Sequence, residues 1–177
     1  MIILIKYIKM KRIFLSLVAI MAFGFANAQE GNFKVGAHVG VPLGDAKDGF
    51  SVNLGVDVAY LWKVTDKFSA GATTGYTTFL AKTYRYNDGF TSFELKGDPA
   101  GFIPVAGTAQ YSLTNDLFVG IDLGYALYVA NGNEGGGFLY QPKFGYQNQK
   151  IELYAAYKAI SNDVTFSSVN LGFNYKF

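Results

Sequence analysis

The chain has 177 residues, 50% hydrophobic and 17% aromatic, with 16% charged residues and no cysteine. An ordinary soluble domain carries roughly 25% charged residues. With no cysteine there is no disulfide framework, no thiolate zinc site and no site for lipoprotein acylation. The formal net charge is +2, but Lys6, Lys9, Lys11 and Arg12 all sit in an N-terminal leader. Without them 11 Lys+Arg stand against 13 Asp+Glu, a net charge of −2. A nucleic-acid-binding reading therefore loses its only support.

The leader spans residues 1–28. A basic start precedes an apolar run from Ile13 to Phe25, and Ala26-Asn27-Ala28 closes it with the small-x-small pattern of a cleavage site. This is the composition of a secretory signal peptide, and its apolar run is too short to be read as a membrane helix. Met10-Lys11-Arg12 before the run already makes a complete signal, so Met10 is the expected start. The exported domain is then expected to run from residue 29 to residue 177. No later segment nears the ~18 consecutive apolar residues of a transmembrane helix.

Eight alternating segments follow. A strand sends successive side chains to opposite faces, so each segment can be read as two rows. The first carries Phe33, Val35, Ala37, Val39 and Val41 on its apolar row, and Lys34, Gly36, His38 and Gly40 on the other. The second runs from Val52 to Trp62, with Asn53, Gly55 and Asp57 opposite. The third has Phe68, Ala70, Ala72, Thr74 and Tyr76 against Ser69, Gly71, Thr73 and Gly75. The fourth has Ile103, Val105, Ala109 and Tyr111, with Thr108 and Gln110 opposite. The fifth alternates from Leu117 to Val129 around Gly120, Asp122 and Gly124. The sixth has Phe138, Tyr140, Pro142, Phe144 and Tyr146 against Gln141 and Lys143. The seventh has Ile151, Leu153, Ala155 and Tyr157 against Glu152 and Lys158. The eighth presents Val169, Leu171, Phe173, Tyr175 and Phe177 on one row and Asn170, Gly172, Asn174 and Lys176 on the other.

Most segments have the ~9–11 residues that a tilted strand needs to cross a bilayer. Tight polar connections at 63–66, 113–116 and 147–150 alternate with longer ones at 43–49, 80–101 and 130–137; the short connection at 161–165 sits in the long-loop phase. Short periplasmic turns and longer outer loops are the pattern of membrane barrels, which in bacteria have even strand numbers. The expectation is an all-β, eight-stranded, antiparallel up-and-down transmembrane β-barrel, with both ends in the periplasm and the last strand closing on the first.

The signal peptide, the alternating segments, the Val64-Thr65-Asp66-Lys67 and Leu113-Thr114-Asn115-Asp116 turns and the terminal Phe177 together resemble the small eight-stranded outer-membrane β-barrel proteins of Gram-negative bacteria. The resemblance covers all of 29–177 and is architectural. It implies an outer-membrane location, a lipid-bilayer partner, and use of the outward row Val169, Leu171, Phe173, Tyr175 and Phe177 as a signal for the outer-membrane assembly machinery. It implies no cofactor, metal or catalytic residue.

An eight-stranded barrel has a lumen just wide enough for side chains. The expected polar lumen set is Lys34, His38, Asp57, Asp122, Lys143, Glu152 and Lys158. Hairpin registers place Glu152 opposite Asn174, Lys158 opposite Ser168, Asp122 near Lys143 and Lys34 near Asp57. Unpaired charges in so narrow a space are costly, so a plugged barrel is expected. His38, the only histidine, is read as a hydrogen-bonded lumen residue, with general-base chemistry beside Asp45 or Ser51 as the rarer alternative. Asn87-Asp88-Gly89 reads as a tight turn, so the segment before the fourth strand is expected to project as a hairpin. Tyr84, Arg85, Tyr86, Phe90 and Phe93 on it are candidates for contact with an extracellular protein or glycan, or for resting on the outer leaflet. Tyr60, Trp62, Tyr111, Tyr146 and Tyr175 are read as an interfacial girdle. The expected role is a non-enzymatic outer-membrane barrel in envelope structure or surface contact. A small-solute channel, a lipid-modifying enzyme and a soluble lipocalin-like binding barrel are the alternatives.

Overall fold

In the computed structural model, the backbone is described for residues 31–87, 92–129 and 135–177, and side chains for these apart from 84–96. The leader, with its expected cleavage site at Ala26 and Ala28, lies outside the described residues. Strand β1 (Gly31–Leu43) leads through a one-turn helix, α1 (Ala46–Gly49), into β2 (Phe50–Lys63) and β3 (Phe68–Ala81). A hairpin of β4 (Thr83–Asn87) and β5 (Ser92–Lys96) follows. The chain continues with β6 (Ala100–Ser112), β7 (Leu117–Tyr128), β8 (Gly136–Gln147), β9 (Ile151–Ser161) and β10 (Thr165–Lys176).

Eight of these strands form one closed barrel in the order β1-β10-β9-β8-β7-β6-β3-β2, and β4-β5 is a separate two-stranded sheet. Closure rests on ten antiparallel pairs between β1 and β10, from Lys34 opposite Lys176 to Leu43 opposite Ser167. The terminal strand is therefore not an exposed edge, the form in which it would template aggregation. Phe177 continues the pairing, its N–H donating to the Phe33 carbonyl at 2.9 Å.

The tight turns share one device. Thr65 Oγ1 accepts from the Phe68 N–H at 3.0 Å, Thr114 Oγ1 from the Leu117 N–H at 3.0 Å, and Asn148 Oδ1 from the Ile151 N–H at 2.9 Å. Short polar side chains bond their own backbone two or three residues on, which closes the turn without a further strand pair. At the opposite end, α1 is tied down by Lys82, whose N–H donates to the Gly49 carbonyl at 2.8 Å and whose Nζ donates to the Lys47 carbonyl at 2.6 Å.

Two prolines interrupt the ladder without shifting its register. The β3–β6 pairing passes from Thr74–Val105 directly to Thr77–Phe102, around Pro104. The β8–β9 pairing passes from Tyr140–Ala159 to Lys143–Ala156, around Pro142. Proline has no N–H to give to the ladder.

The side-chain rows separate as the alternation predicts. The wall is apolar outside, with Leu171 68% and Val41 65% exposed. Inside, Lys34, His38, Asn53, Asp122, Gln141, Glu152, Lys158 and Asn170 are all buried. A soluble lipocalin-like barrel would put those charges in water and the apolar row inside, so that alternative is overturned. An apolar belt running all round a closed barrel has no use in water and is what lipid requires.

Candidate functional site

The candidate site is the lumen, which contains two stacked regions. The lower one, nearer the short turns, is polar and charged. Glu152 is its hub: one carboxylate oxygen accepts from Lys34 Nζ at 2.5 Å and from Gln110 Nε2 at 3.1 Å, and the other from Asn174 Nδ2 at 3.0 Å. Lys176 Nζ lies 3.8 Å from the same carboxylate. Gln110 passes the network on to Gln147 at 2.8 Å, and Gln147 to Ser112 at 2.9 Å. These residues come from β1, β6, β8, β9 and β10, so the network ties strands that are not neighbours in the wall.

Across the middle, Lys143 Nζ meets Asp122 Oδ2 at 2.6 Å and lies 5.5 Å from the centre of the Tyr154 ring. His38 joins a third set. Its Nδ1 is 2.6 Å from Asp57 Oδ2, and its Nε2 is 2.7 Å from Lys158 Nζ and 3.2 Å from Thr77 Oγ1. An ammonium can only donate, so Nε2 accepts and the ring proton sits on Nδ1, donated to Asp57. An Asp-His-Lys chain has the connectivity of a proton relay. Here His38 is 5% exposed, and Thr77 and Lys158 are 1% exposed, while the Asp57 side chain at the other end of the chain is 19% exposed.

The expected proximity of Lys34 to Asp57 is corrected by these contacts. Lys34 bonds Glu152 and Gln110, while Asp57 takes His38. Both residues sit on adjacent strands, but the Lys34 side chain reaches past β10 to Glu152 on β9 and to Gln110 on β6 instead. The alternative partners of His38 are corrected too. It faces Asp57, Thr77 and Lys158 rather than Asp45 or Ser51, and Ser51 Oγ donates to the Leu80 carbonyl at 3.2 Å. The other expected neighbours are found: Glu152 is opposite Asn174 and Lys158 opposite Ser168, and Asp122 pairs with Lys143.

Tyr154 was not among the expected lumen residues. It follows from the phase of Glu152 and Lys158, and its hydroxyl approaches Asp57 at 3.5 Å. Glycine makes room for the two large rings. A Cβ on Gly55 would land on the His38 imidazole, and one on Gly172 on the Tyr154 ring. A cavity of about 20 Å³ lies in the polar region, beside Lys34, Gln110, Lys143, Glu152 and Asn174. That is room for about one water molecule.

The upper region, toward the long loops, is apolar, which an all-polar lumen reading did not foresee. Phe79, Phe102, Ala126, Leu139 and Ile160 are buried there with Ala46 of α1. Phe166 packs between Phe102 at 5.1 Å and Phe79 at 5.5 Å, ring centre to ring centre. The signal was present: carrying the outward phase of Tyr76 and Ile103 onward makes Phe79 and Phe102 inward residues.

Outside, Tyr60 and Trp62 pack edge to face at 5.2 Å, and Tyr111, Tyr146 and Tyr175 are exposed toward the short-turn end. In the terminal strand Val169, Leu171, Phe173, Tyr175 and Phe177 all point outward, and Phe177 contacts Tyr175 at 4.9 Å and Phe33 at 5.8 Å. The β4–β5 register sets Tyr84 opposite Leu95, Arg85 opposite Glu94 and Tyr86 opposite Phe93; Phe90 lies outside the described residues. Among the described residues no three His, Cys, Asp or Glu side chains converge as a metal ion would need.

No family model matches the chain, and no curated protein matches it in sequence. Solved structures do match. The backbone structure of the Yersinia pestis outer membrane protein Ail in a phospholipid bilayer nanodisc has a TM-score of 0.55 at 13% identity, covering 84% of this chain and 100% of that one. A de novo designed transmembrane β-barrel has a TM-score of 0.53 at 16% identity, covering 84% and 98%. The crystal structure of Ail, the attachment invasion locus protein, has a TM-score of 0.50 at 13% identity, covering 83% and 97%.

The fold is that of the small outer-membrane β-barrels. The apolar wall and the even strand number agree with it.

Proposed function

We propose that this chain is a plugged outer-membrane barrel acting in envelope structure and surface contact, one that neither conducts solutes nor catalyses a reaction. The observation that carries the reading is the filled lumen. Glu152 with Lys34, Asp122 with Lys143 and Asp57 with His38 tie strands that are neighbours or next neighbours in the wall, Gln110 reaches Glu152 from three strands away, and the cavity beside them holds about 20 Å³. A conducting path needs a continuous column of water, and the packed Phe79, Phe102 and Phe166 close the lumen a second time above the charges. The Asp57-His38-Lys158 chain stabilises the interior rather than serving a substrate.

The leader 1–28, cut after Ala28, would direct export. The terminal strand Val169–Phe177 would be the element recognised by the assembly machinery. The β4–β5 hairpin then stands outside the cell with its aromatic residues. Among the described residues it pairs with no other strand, so its edges are free to add a strand from a partner protein. Ail, which shares the fold, is the attachment invasion locus protein of Yersinia pestis.

Planar-bilayer recording of the purified barrel tests the plug, and the expected record is silent. Reproducible conductance steps would refute it. Surface contact is tested by treating intact cells with protease: cleavage within 83–96 is expected, and protection of that segment would remove the hairpin from the outer surface.

A further inference from the structure

Above the apolar cap lies a pocket of about 180 Å³, open toward the loops. Phe102, Tyr128, Ile160, Val164 and Phe166 line it, with the backbone of Gly136 and Gly137 on one side and Asp163 at the rim. We infer that this pocket binds a small molecule carrying one aromatic ring, neutral or amine-bearing, that enters from the loop side.

Four observations converge. The first is size: an apolar cavity of roughly 150 Å³ accepts a benzene ring. The second is wall chemistry. Phe102 lies edge to face with Tyr128 at 5.2 Å and with Phe166 at 5.1 Å, so a ring that enters meets the edges and faces that aromatic groups favour. The third is the floor. Phe79 is fully buried beneath, and the charged network lies below it, so the pocket is blind and its occupant stays in the mouth. The fourth is charge. Among the described residues of the lining Asp163 is the charged one, which disfavours a carboxylate-bearing ring and favours an amine.

The glycines on the wall are fixed by its closeness to the next strand. A Cβ on Gly137 would stand 2.8 Å from the Ser161 carbonyl oxygen and 3.0 Å from Ile160 Cγ2, so side chains are kept off that wall. Phe102, Tyr128, Ile160 and Phe166 all belong to the inward rows, which places the pocket within the barrel wall rather than on its lipid face.

The test uses the whole barrel in lipid nanodiscs with labelled Ile and Val methyl groups. Benzylamine is the probe, and benzoate, of similar size and opposite charge, is the control. Saturable shifts are expected at the Ile160 and Val164 methyls, and none at Val41 and Val169 on the lipid-facing wall. Benzoate should bind more weakly by roughly two- to five-fold, the scale of an exposed charge, and Asp163→Asn should narrow that gap. Ile160→Phe fills the pocket and should abolish the Val164 shift, with folding verified by heat-modifiable gel migration. If that variant does not fold, Val164→Trp at the exposed edge replaces it, read at the Ile160 methyl. Absence of a saturable shift would overturn the proposal. Shifts shared with Val41 and Val169 would also overturn it, since they report partition into lipid. Bilayer conductance reads the plug separately, so either result can fail without the other.

Discussion

Replacing Glu152 by alanine is the perturbation that asks most of the lumen network. Its carboxylate accepts from Lys34, Gln110 and Asn174, with Lys176 close by, and the residue is 1% exposed. Hydrogen bonds to a charged group contribute about 1.5–3 kcal/mol each, but three that share one acceptor do not add. The larger effect is that Lys34, 5% exposed, loses its counter-charge in a space with no room for a hydration shell. Removing one partner of a buried pair costs about 3–5 kcal/mol, and that is the loss expected here. The double variant Lys34→Met, Glu152→Leu removes both charges and keeps volume. It should recover more than half of the loss, because a buried pair replaced by apolar residues is often nearly neutral. The assay is urea unfolding of the barrel refolded into lipid vesicles, followed by the fluorescence of Trp62, the only tryptophan, and by migration on a denaturing gel. A Glu152→Ala loss below about 1 kcal/mol would refute the reasoning, since it would mean that water solvates Lys34 and the lumen is wet.

Three further outcomes follow from particular contacts. Gly172→Ala should destabilise by about 1–3 kcal/mol, because its Cβ would press into the Tyr154 ring; in a Tyr154→Ala background the added cost should vanish, measured as a double-mutant cycle by the same unfolding assay. Phe79→Ala should lose about 3–5 kcal/mol, since Phe79 is 0% exposed and packs on Phe50, Phe102 and Phe166; a loss under ~1 kcal/mol would show the cap to be loosely packed. Deleting Phe177 removes its contacts with Phe33 and Tyr175 and should lower the amount of barrel recovered in the outer membrane on fractionation; unchanged recovery would dismiss the terminal residue as an assembly element.

Much of the wall was legible before any coordinates. A strand alternates strictly, so Val169 or Lys158 is assigned to a face by parity alone, and short turns such as Val64-Thr65-Asp66-Lys67 pin the register of their hairpins. Glu152 opposite Asn174 follows from counting back from the Asn162-Asp163 turn. Parity still assigns a face where both rows carry apolar residues, as at Phe79 and Leu80 or Phe102 and Ile103, but polarity no longer marks which row is the lumen, so the cap shows there only when the phase is carried on from Tyr76 and Ile103. Parity also says nothing about reach inside the lumen: Lys34 and Asp57 share adjacent strands, yet a lysine side chain is long enough to choose Glu152, two strands away on the other side.

The sequence by itself determined the strands, their two rows and their antiparallel order, because these depend on a period of two and on local turn chemistry. Closure of the barrel settled that Lys34 meets Glu152 rather than Asp57, that an aromatic cap closes the lumen above the charges, and that a pocket remains over that cap. Those outcomes depend on distances between strands far apart in the chain, which exist only once β10 has closed on β1.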